Sequence, residues 1–228
     1  EEVPINAITN GVHLPSWVNA NRLQPILDEH LGSWIDRQDE PETWQGVDDI
    51  PDDVLWEAHQ NLKSNLLAEI DARARARWHE EGVAAGNVIA FGALLDPEVL
   101  TVGFARRFTD YKRPDLILHD MERLKRLVTD SLRPMQVIFA GEAHPNDTQG
   151  KRLIQKIVQV AQDPEFAGRI AFVEDYDKEL ATYMVQGVDV WLNNPIPPME
   201  ASGTSGMKAC VNGVPNLSIL DGWWIEGY

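Results

Sequence analysis

Short apolar runs alternate with amphipathic stretches from residue 99 to the end of the chain. The runs are apolar on both faces, which is typical of parallel strands covered by helices on both sides. We predict strands over 100–105, 136–140, 170–173, 188–192 and 216–220. We predict helices over 114–128, 149–161, 178–186 and 206–212. Repeated β–α units of this kind predict an α/β fold with an open, doubly wound parallel sheet and flanking helices.

The first part of the chain lacks such a pattern. Residues 1–51 are rich in proline and acidic residues, and we predict an irregular entry segment with one short helix over 23–31. Asp52 then resembles a helix N-cap, because apolar residues follow it at helical spacing until Gly82 ends the pattern. We therefore divide the chain into the entry segment over 1–51 and a Rossmann-like domain over 52–228.

Composition excludes several classes of partner. With 20 basic and 36 acidic residues the net charge is −16, which repels nucleic acid and anionic lipid. The longest apolar stretch, 88–95, is too short to span a bilayer. We therefore expect no nucleic acid, no membrane and no metal. The single cysteine, Cys210, cannot form an internal disulfide, so we predict a cytoplasmic protein in which Cys210 is buried in the packing.

A group of cations follows the first predicted strand: Arg106, Arg107, Lys112 and Arg113. Ligands of doubly wound sheets bind outside the carboxyl ends of the strands. Arginine and lysine side chains next to a helix start suit a phosphate group, and we predict that the helix starts at Pro114. The alternative is a solvated turn in which Asp110 and Asp115 pair with these cations.

The loop after the fourth predicted strand reads NNPIPPMEASGTSGMKACVNG. Glu200 precedes small residues over 201–206, which let a backbone approach a ligand, and Lys208 lies in the first turns of the next helix. The spacing is neither a Walker motif nor a dinucleotide motif. A lysine near cations and helix dipoles has a lowered pKa, which favours Schiff-base formation. These residues predict a phosphate-handling site with one candidate Schiff-base lysine, and the alternative is a plain glycine-rich turn.

The segment EASGTSGMK resembles the cofactor-lysine segment of the α-glucan phosphorylases, which act on glycogen, starch or maltodextrin. Further segments resemble the same family in the same order: ITNGVHLPSW at 8–17, FARRFTDYKR at 104–113 and FVEDYDKELA at 172–181. The resemblance is strongest to the short bacterial and archaeal branch and covers essentially the whole chain. It implies the Rossmann-like C-terminal domain of a two-domain GT-B glycosyltransferase, with residues 1–51 as the interdomain crossover segment.

The resemblance implies a pyridoxal 5′-phosphate cofactor and roles for individual residues. The cofactor set comprises Lys208, which holds the cofactor covalently, Tyr176 beside the ring, and Arg106, Lys112, Thr204 and Ser205 around the phosphate. The substrate set comprises Arg107 and Lys112 for inorganic phosphate, and Glu200, Ser202 and Gly203 for glucosyl hydroxyls. The expected catalytic residues are Lys208, Arg107 and Lys112. Two positions depart from the longer members: Arg106 replaces a lysine, and Ser205-Gly206 replaces Gly-Asn.

The implied reaction moves a glucosyl unit from an α-1,4-glucan to inorganic phosphate and gives α-glucose 1-phosphate with retained configuration. Family enzymes have two sugar-cleft domains, and 228 residues are too few for both. We therefore expect that the N-terminal domain is missing and that this chain alone is inactive, with a homo-oligomer as a further expectation.

Two other functions fit some of the same residues. A nucleotide-sugar glycosyltransferase of the glycogen or starch synthase type shares the sheet, the cations and the loop with Glu200, but lacks pyridoxal. A non-catalytic glucan-binding domain would stack sugars on scattered tryptophans: Trp17, Trp34, Trp44, Trp223 and Trp224.

Overall fold

A single parallel sheet organises the protein. The computed structural model describes residues 8–82 and 84–228. The strands are β1 (Leu100–Ala105), β2 (Met135–Ala140), β3 (Ile170–Val173), β4 (Val190–Asn193) and β5 (Asn216–Ser218). They lie in the order β3-β2-β1-β4-β5, and every neighbouring pair is parallel. The predicted α/β fold with an open doubly wound sheet is confirmed. The winding reverses between β1 and β4, which makes their carboxyl ends the switch point where such folds bind ligands.

Helices precede the sheet and connect its strands. The α-helices are α1 (Leu14–Trp17), α2 (Leu23–Leu31), α3 (Pro41–Trp44), α4 (Asp52–Glu81), α5 (Ala85–Ala90), α6 (Met121–Val128), α7 (Thr148–Gln162), α8 (Lys178–Gly187), α9 (Thr204–Cys210) and α10 (Trp224–Gly227). Short 3₁₀ helices cover Trp34–Arg37, Gln45–Asp49, Asp110–Lys112, Leu116–Leu118 and Pro164–Phe166. Among the described residues, no helix combines the length and the apolar character needed to cross a membrane.

The predicted helix over 114–128 was wrong in its first half. Arg113 adopts a left-handed conformation, with φ of 45°, and only a 3₁₀ turn follows before α6 begins at Met121. Asp120 caps α6, because its side chain accepts a hydrogen bond from the backbone N–H of Arg123. The predicted start of α4 was wrong by one residue, because Asp52 is the first helical residue rather than the cap. Helix α5 was not predicted.

Alternating strand residues divide the core into two layers. On one face, Val102 and Phe104 of β1 pack with α6 and α7, and the ring of Phe104 contacts those of Phe108 and Phe139. On the other face, Ala105 and neighbouring strand residues pack with α4, α8 and α9. Each fully buried large side chain contributes roughly 1.5–3 kcal/mol. The two apolar faces explain why the strands read as continuous apolar runs.

A polar network fixes α4 to the edge of the sheet where β1 and β4 begin. Lys63 of α4 is buried, and its Nζ donates to Asp189 Oδ2 at 2.7 Å and to the Val99 carbonyl at 2.8 Å. The Thr101 N–H donates to the same Oδ2 at 2.6 Å, and His59 Nε2 lies 2.6 Å from Oδ1. The network therefore sets the position of the longest helix relative to the two central strands.

The segment before α4 folds onto the sheet domain. Its short helices bury a cluster that includes Trp34, and Val211 packs against that cluster from the end of α9. Asn19 donates through Nδ2 to Gln186 Oε1 at 2.8 Å, and its own N–H donates to Asn212 Oδ1 at 3.0 Å. The described part of the segment is thus joined to α8 and α9, while the division at residue 51 stays a prediction.

Candidate functional site

Arg106 occupies the switch point of the sheet. It directly follows β1, and its Nη1 donates to Oδ1 of Asn193, the last residue of the neighbouring strand β4. Asn193 in turn donates through Nδ2 to Ser218 Oγ on β5, at 2.9 Å. A chain of polar side chains therefore crosses the carboxyl ends of three adjacent strands, at the edge where the sequence predicted the site.

Glu200 lies between two cations. Its Oε2 is 2.8 Å from Arg106 Nη2 and 2.9 Å from Lys112 Nζ, and its Oε1 is 3.2 Å from the same Nζ. All three residues are at least nine-tenths buried. Burial lowers the pKa of the Arg106 guanidinium, and the charge of Glu200 acts in the opposite direction. Removal of the Glu200 carboxylate would leave two buried cations uncompensated, and loss of one partner of a buried ion pair typically costs about 3–5 kcal/mol.

The backbone of the Glu200 loop is held from the C-terminal side. The Glu200 N–H donates to Asp221 Oδ2 at 2.9 Å, and the Trp223 N–H donates to the Ser202 carbonyl at 2.9 Å. Gly222 lies so close that a Cβ there would be 2.4 Å from that carbonyl oxygen. A larger residue at Gly222 would therefore displace the loop that carries Glu200.

Lys208 lies in the second turn of α9, where its amine contacts an aromatic face. Its Nζ is 3.9 Å from the centroid of the Trp17 ring, and burial lowers the pKa of the amine. Within the described part of the chain this amine forms no hydrogen bond and no ion pair. The expected lowering of the pKa thus has a different cause from the one predicted, since it comes from burial rather than from nearby cations.

Tyr176 presents a neutral phenol near Arg106. Burial raises the pKa of Tyr176 to about 12, and the charge of Arg106 opposes the shift. The ring packs against the apolar layer that also contacts Trp17. Tyr176 and Trp17 therefore pack against the same apolar layer, and Trp17 also contacts the amine of Lys208.

The four predicted cations do not converge as a group. Arg107 is exposed, and Arg113 donates to the carbonyls of Asn194 at 2.8 Å and Pro195 at 2.9 Å. Arg113 therefore supports the loop after β4 rather than facing a ligand. Asp115 forms its ion pair with Lys156 of α7. The alternative, in which Asp115 pairs with the cations of its own turn, is therefore also wrong.

Several buried polar atoms beside the cluster have no hydrogen-bond partner: Arg106 Nε, Ser202 Oγ and Ser205 Oγ. Gly203, between Ser202 and α9, lies close to the cluster: a Cβ built on it would be 3.8 Å from Arg106 Nη2. Gly203 is the residue that precedes α9, and its φ is +82°. Buried polar groups in native proteins are nearly always satisfied. These donors fit an anion, and the amine of Lys208 fits an aldehyde, so the residues fit a phosphorylated aldehyde such as pyridoxal phosphate. Thr204 is the first residue of α9 and is half-buried.

Comparison with known proteins identifies the family. The family model described as carbohydrate phosphorylase matches residues 3–227. The chain belongs to the carbohydrate phosphorylase family. Over its whole length it is 58% identical to a glycogen phosphorylase of Aquifex aeolicus and covers 33% of that protein. It is 46% identical to a maltodextrin phosphorylase of Thermococcus litoralis, covering 27% of it, and 47% identical to a glycogen phosphorylase of Mycobacterium bovis, covering 26%. The chain thus spans about a quarter to a third of the length of these curated relatives.

Membership of the phosphorylase family bears on the alternative functions. These relatives favour a phosphorylase over a nucleotide-sugar glycosyltransferase. Trp34 is fully buried and its ring contacts that of Trp44 at 5.8 Å, so this pair serves the core rather than a sugar surface. Trp223 and Trp224 are half-buried and contact each other at 5.0 Å.

Sequence reasoning missed residues that complete the cluster. Asn193 was a detectable candidate, because a polar residue that ends an apolar strand at a switch point faces the site. Nothing in the sequence indicated that Asp221 accepts a hydrogen bond from the backbone N–H of Glu200. Trp17 was considered only for sugar stacking, although its segment carried the family resemblance. The prediction that Cys210 is buried was wrong: it is exposed, and its Sγ accepts a hydrogen bond from Asn216 Nδ2 at 2.9 Å.

Proposed function

We propose that this chain is the cofactor-carrying part of an α-1,4-glucan phosphorylase. The enzyme would transfer a glucosyl unit from the glucan to inorganic phosphate and yield α-glucose 1-phosphate with retained configuration. The observation that carries the proposal is the placement of Glu200 between Arg106 and Lys112 at the switch point, with the unpaired amine of Lys208 on the helix that follows. The similarity to glycogen and maltodextrin phosphorylases supports the same reaction.

Residues of α9 and β1 would hold the cofactor. Lys208 would hold pyridoxal phosphate covalently, because its amine has a lowered pKa and forms no hydrogen bond or ion pair with the described residues. Arg106 Nε and Ser205 Oγ, together with Thr204, would donate to the cofactor phosphate. Tyr176 would pack beside the ring. When bound, pyridoxal phosphate supplies a phosphate group that can hold and return a proton beside the substrate phosphate.

Other residues of the cluster would bind the substrates. Lys112 has three N–H donors and shares only part of them with Glu200, and Arg107 is exposed with no ion pair to a described residue. Both would hold inorganic phosphate and stabilise its charge during transfer. Glu200 Oε1 makes only the longer contact to Lys112, so it keeps acceptor capacity for a glucosyl hydroxyl. Ser202 Oγ and the backbone of Gly203 would complete that sugar contact.

The remaining length of the relatives bears on what this chain does alone. Because it spans about a quarter to a third of those proteins, we propose that a further, N-terminal domain supplies the rest of the sugar cleft. This chain would then bind the cofactor without turnover. We also propose a cytoplasmic location, which suits the single cysteine, and a homo-oligomeric state.

The test is covalent capture of the cofactor. The chain is incubated with pyridoxal phosphate, reduced with borohydride and mapped by peptide mass spectrometry. We expect one pyridoxyl adduct, on Lys208, which is absent in Lys208→Ala and retained in Lys178→Ala, a change at an exposed lysine of α8. An adduct spread over several lysines, retained in Lys208→Ala, or absent altogether would contradict the proposal.

A further inference from the structure

A buried amide, Asn212, lies just beyond the end of α9, the helix that carries Lys208. Asn212 is 5% exposed, and its Nδ2 donates to the Lys208 carbonyl at 2.9 Å and to the Trp17 carbonyl at 2.8 Å. Its Oδ1 accepts from the Asn19 N–H at 3.0 Å. One side chain thus joins the helix with the lysine to two backbone positions of the segment before α4.

Helix α9 needs such a contact at its C-terminal end. It has seven residues, and helices this short are marginal without support from the rest of the protein. Lys208 lies in its last turn, where backbone carbonyls lack partners within the helix. The Asn212 N–H donates to the Ala209 carbonyl at 3.0 Å, so the Asn212 side chain supplies a donor to the Lys208 carbonyl. Asn212 therefore fixes the turn from which the lysine side chain projects.

The Trp17 carbonyl has a second buried donor. Gln186 of α8 is 6% exposed, and its Nε2 donates to that carbonyl at 3.1 Å. Gln186 Oε1 accepts from Asn19 Nδ2 at 2.8 Å. Trp17 is the last residue of α1, so its carbonyl has no acceptor role within that helix. Two side-chain amides therefore hold the backbone of Trp17 and, with it, the place of the indole.

The indole of Trp17 is the surface against which the Lys208 amine lies. The amine nitrogen is 3.9 Å from the ring centroid, and burial lowers its pKa. The ionisable side chains that pack against the same apolar layer, Tyr176 and Tyr183, are phenols rather than charged groups. The surroundings of the amine thus depend on where the indole lies.

We propose that Asn212 is a positioning residue for the Lys208 amine and that it acts through Trp17. One amide holds both the helix that carries the amine and the backbone of the residue whose ring contacts it, so the two stay in register. Asn212 is not a catalytic residue, because its side-chain amide is used by backbone groups. The chemical role of the amine rests on the proposed function, whereas its placement by Asn212 does not.

The first test is competitive acetylation of the chain without cofactor, read by mass spectrometry as a function of pH. In the wild type, the reactivity of Lys208 should rise at a lower pH than that of the exposed Lys178. Asn212→Ala should move the Lys208 profile toward that of Lys178, because the amine loses part of its burial. Trp17→Ala should cause a similar shift. The double variant should shift no further than Trp17→Ala, because residues that act through one contact are not additive.

Gln136→Ala is the matched control. Gln136 is fully buried near the start of β2, and its amide also makes three hydrogen bonds, two with the Asp96 backbone and one with Thr101 Oγ1. This variant should lose stability in urea denaturation as Asn212→Ala does, but keep the wild-type Lys208 profile. Gln186→Ala removes the longer bond to the Trp17 carbonyl, so it should shift the profile less than Asn212→Ala. It also tests the inference if Asn212→Ala does not fold.

The second measurement is the affinity for pyridoxal phosphate. Asn212→Ala should weaken it by about fivefold, the ordinary contribution of one hydrogen bond, and Gln136→Ala should not. An unchanged Lys208 profile in Asn212→Ala and Gln186→Ala would overturn the inference. So would an equal shift in Gln136→Ala, or full additivity with Trp17→Ala. Absence of binding in the wild type would instead contradict the proposed function, since the acetylation profile tests Asn212 without cofactor.

Discussion

Replacement of Asp189 by alanine tests whether its polar network with Lys63 holds α4 at the edge of the sheet where β1 and β4 begin. The change removes the carboxylate that accepts from Lys63 at 2.7 Å and from the Thr101 N–H at 2.6 Å. The Lys63 side chain is 3% exposed, so its ammonium would remain in the interior with only the Val99 carbonyl as an acceptor. Removal of one partner of a buried pair costs about 3–5 kcal/mol. We expect a loss of this size in the free energy of unfolding.

The assay is thermal and urea denaturation followed by circular dichroism. For a chain of this length, 3–5 kcal/mol lowers the melting temperature by on the order of 10 °C. Burial favours the protonated form of Asp189, but hydrogen bonds from His59, Lys63 and the Thr101 backbone outweigh it and hold the pKa below its usual value. The stabilisation is therefore present above the unfolded pKa and is lost as pH falls through the folded pKa. The difference between wild type and Asp189→Ala should shrink below about pH 4.

Two further variants separate this explanation from a simple loss of packing. Lys63→Met removes the cation. The double variant Lys63→Met/Asp189→Ala should therefore lose less free energy of unfolding than the two single variants lose together. Asp71→Ala is the control, because its ion pair with Arg75 is on the surface at 2.7 Å and should matter by less than about 1 kcal/mol. A loss below about 1 kcal/mol in Asp189→Ala, or strict additivity with Lys63→Met, would refute the reasoning.

Further predictions concern single groups near the candidate site. Asp177→Ala should destabilise the protein by about 1 kcal/mol, because Asp177 accepts from the Leu180 N–H at the start of α8; that hydrogen bond lowers the pKa of Asp177, so the effect in urea denaturation should vanish in acid. Tyr176→Phe should remove a phenol that ionises only near its pKa of about 12, which a spectrophotometric titration of both proteins would show. Loss of a phenol that ionises near pH 10 would contradict this. Because burial lowers the pKa of Lys208, competitive acetylation read by mass spectrometry should show its reactivity rising at a lower pH than that of exposed Lys178; identical profiles would contradict this.

The strands were the most predictable part of the fold. β1 and β3 have the predicted bounds, because nearly all of their residues are apolar and buried and a polar residue, Arg106 or Glu174, directly follows each run. β4 begins two residues later than predicted. Val188 is apolar but caps α8, with its N–H donating to Met184, and Asp189 serves the network with Lys63. Apolar character alone does not distinguish a strand from the buried end of a helix.

The candidate site was predictable in position but less so in its contacts. Doubly wound topology places residues after strands at one edge, and Arg106 and Glu200 do meet there. The direction of a side chain depends on contacts far apart in sequence, which explains why Arg113 supports a loop and Arg107 is exposed. The start of helix α6 was predicted at Pro114, because proline is common at the first position of a helix. The helix begins instead after Asp120, whose side chain caps it.

The charge pairing around Glu200 also has consequences for the speed of association. Arg106 and Lys112 share one carboxylate within 3 Å, so their field at a distance is partly cancelled, while the chain as a whole carries a net charge of −16. Beyond a Debye length of about 8 Å, this reduced local field is largely screened, so the cluster attracts a free anion only weakly from a distance. Long-range steering needs an uncompensated patch, so the Arg106–Glu200–Lys112 cluster itself adds little to the rate at which an anion arrives. An anion at this cluster would be recognised by close hydrogen bonds after contact, not by capture from solution.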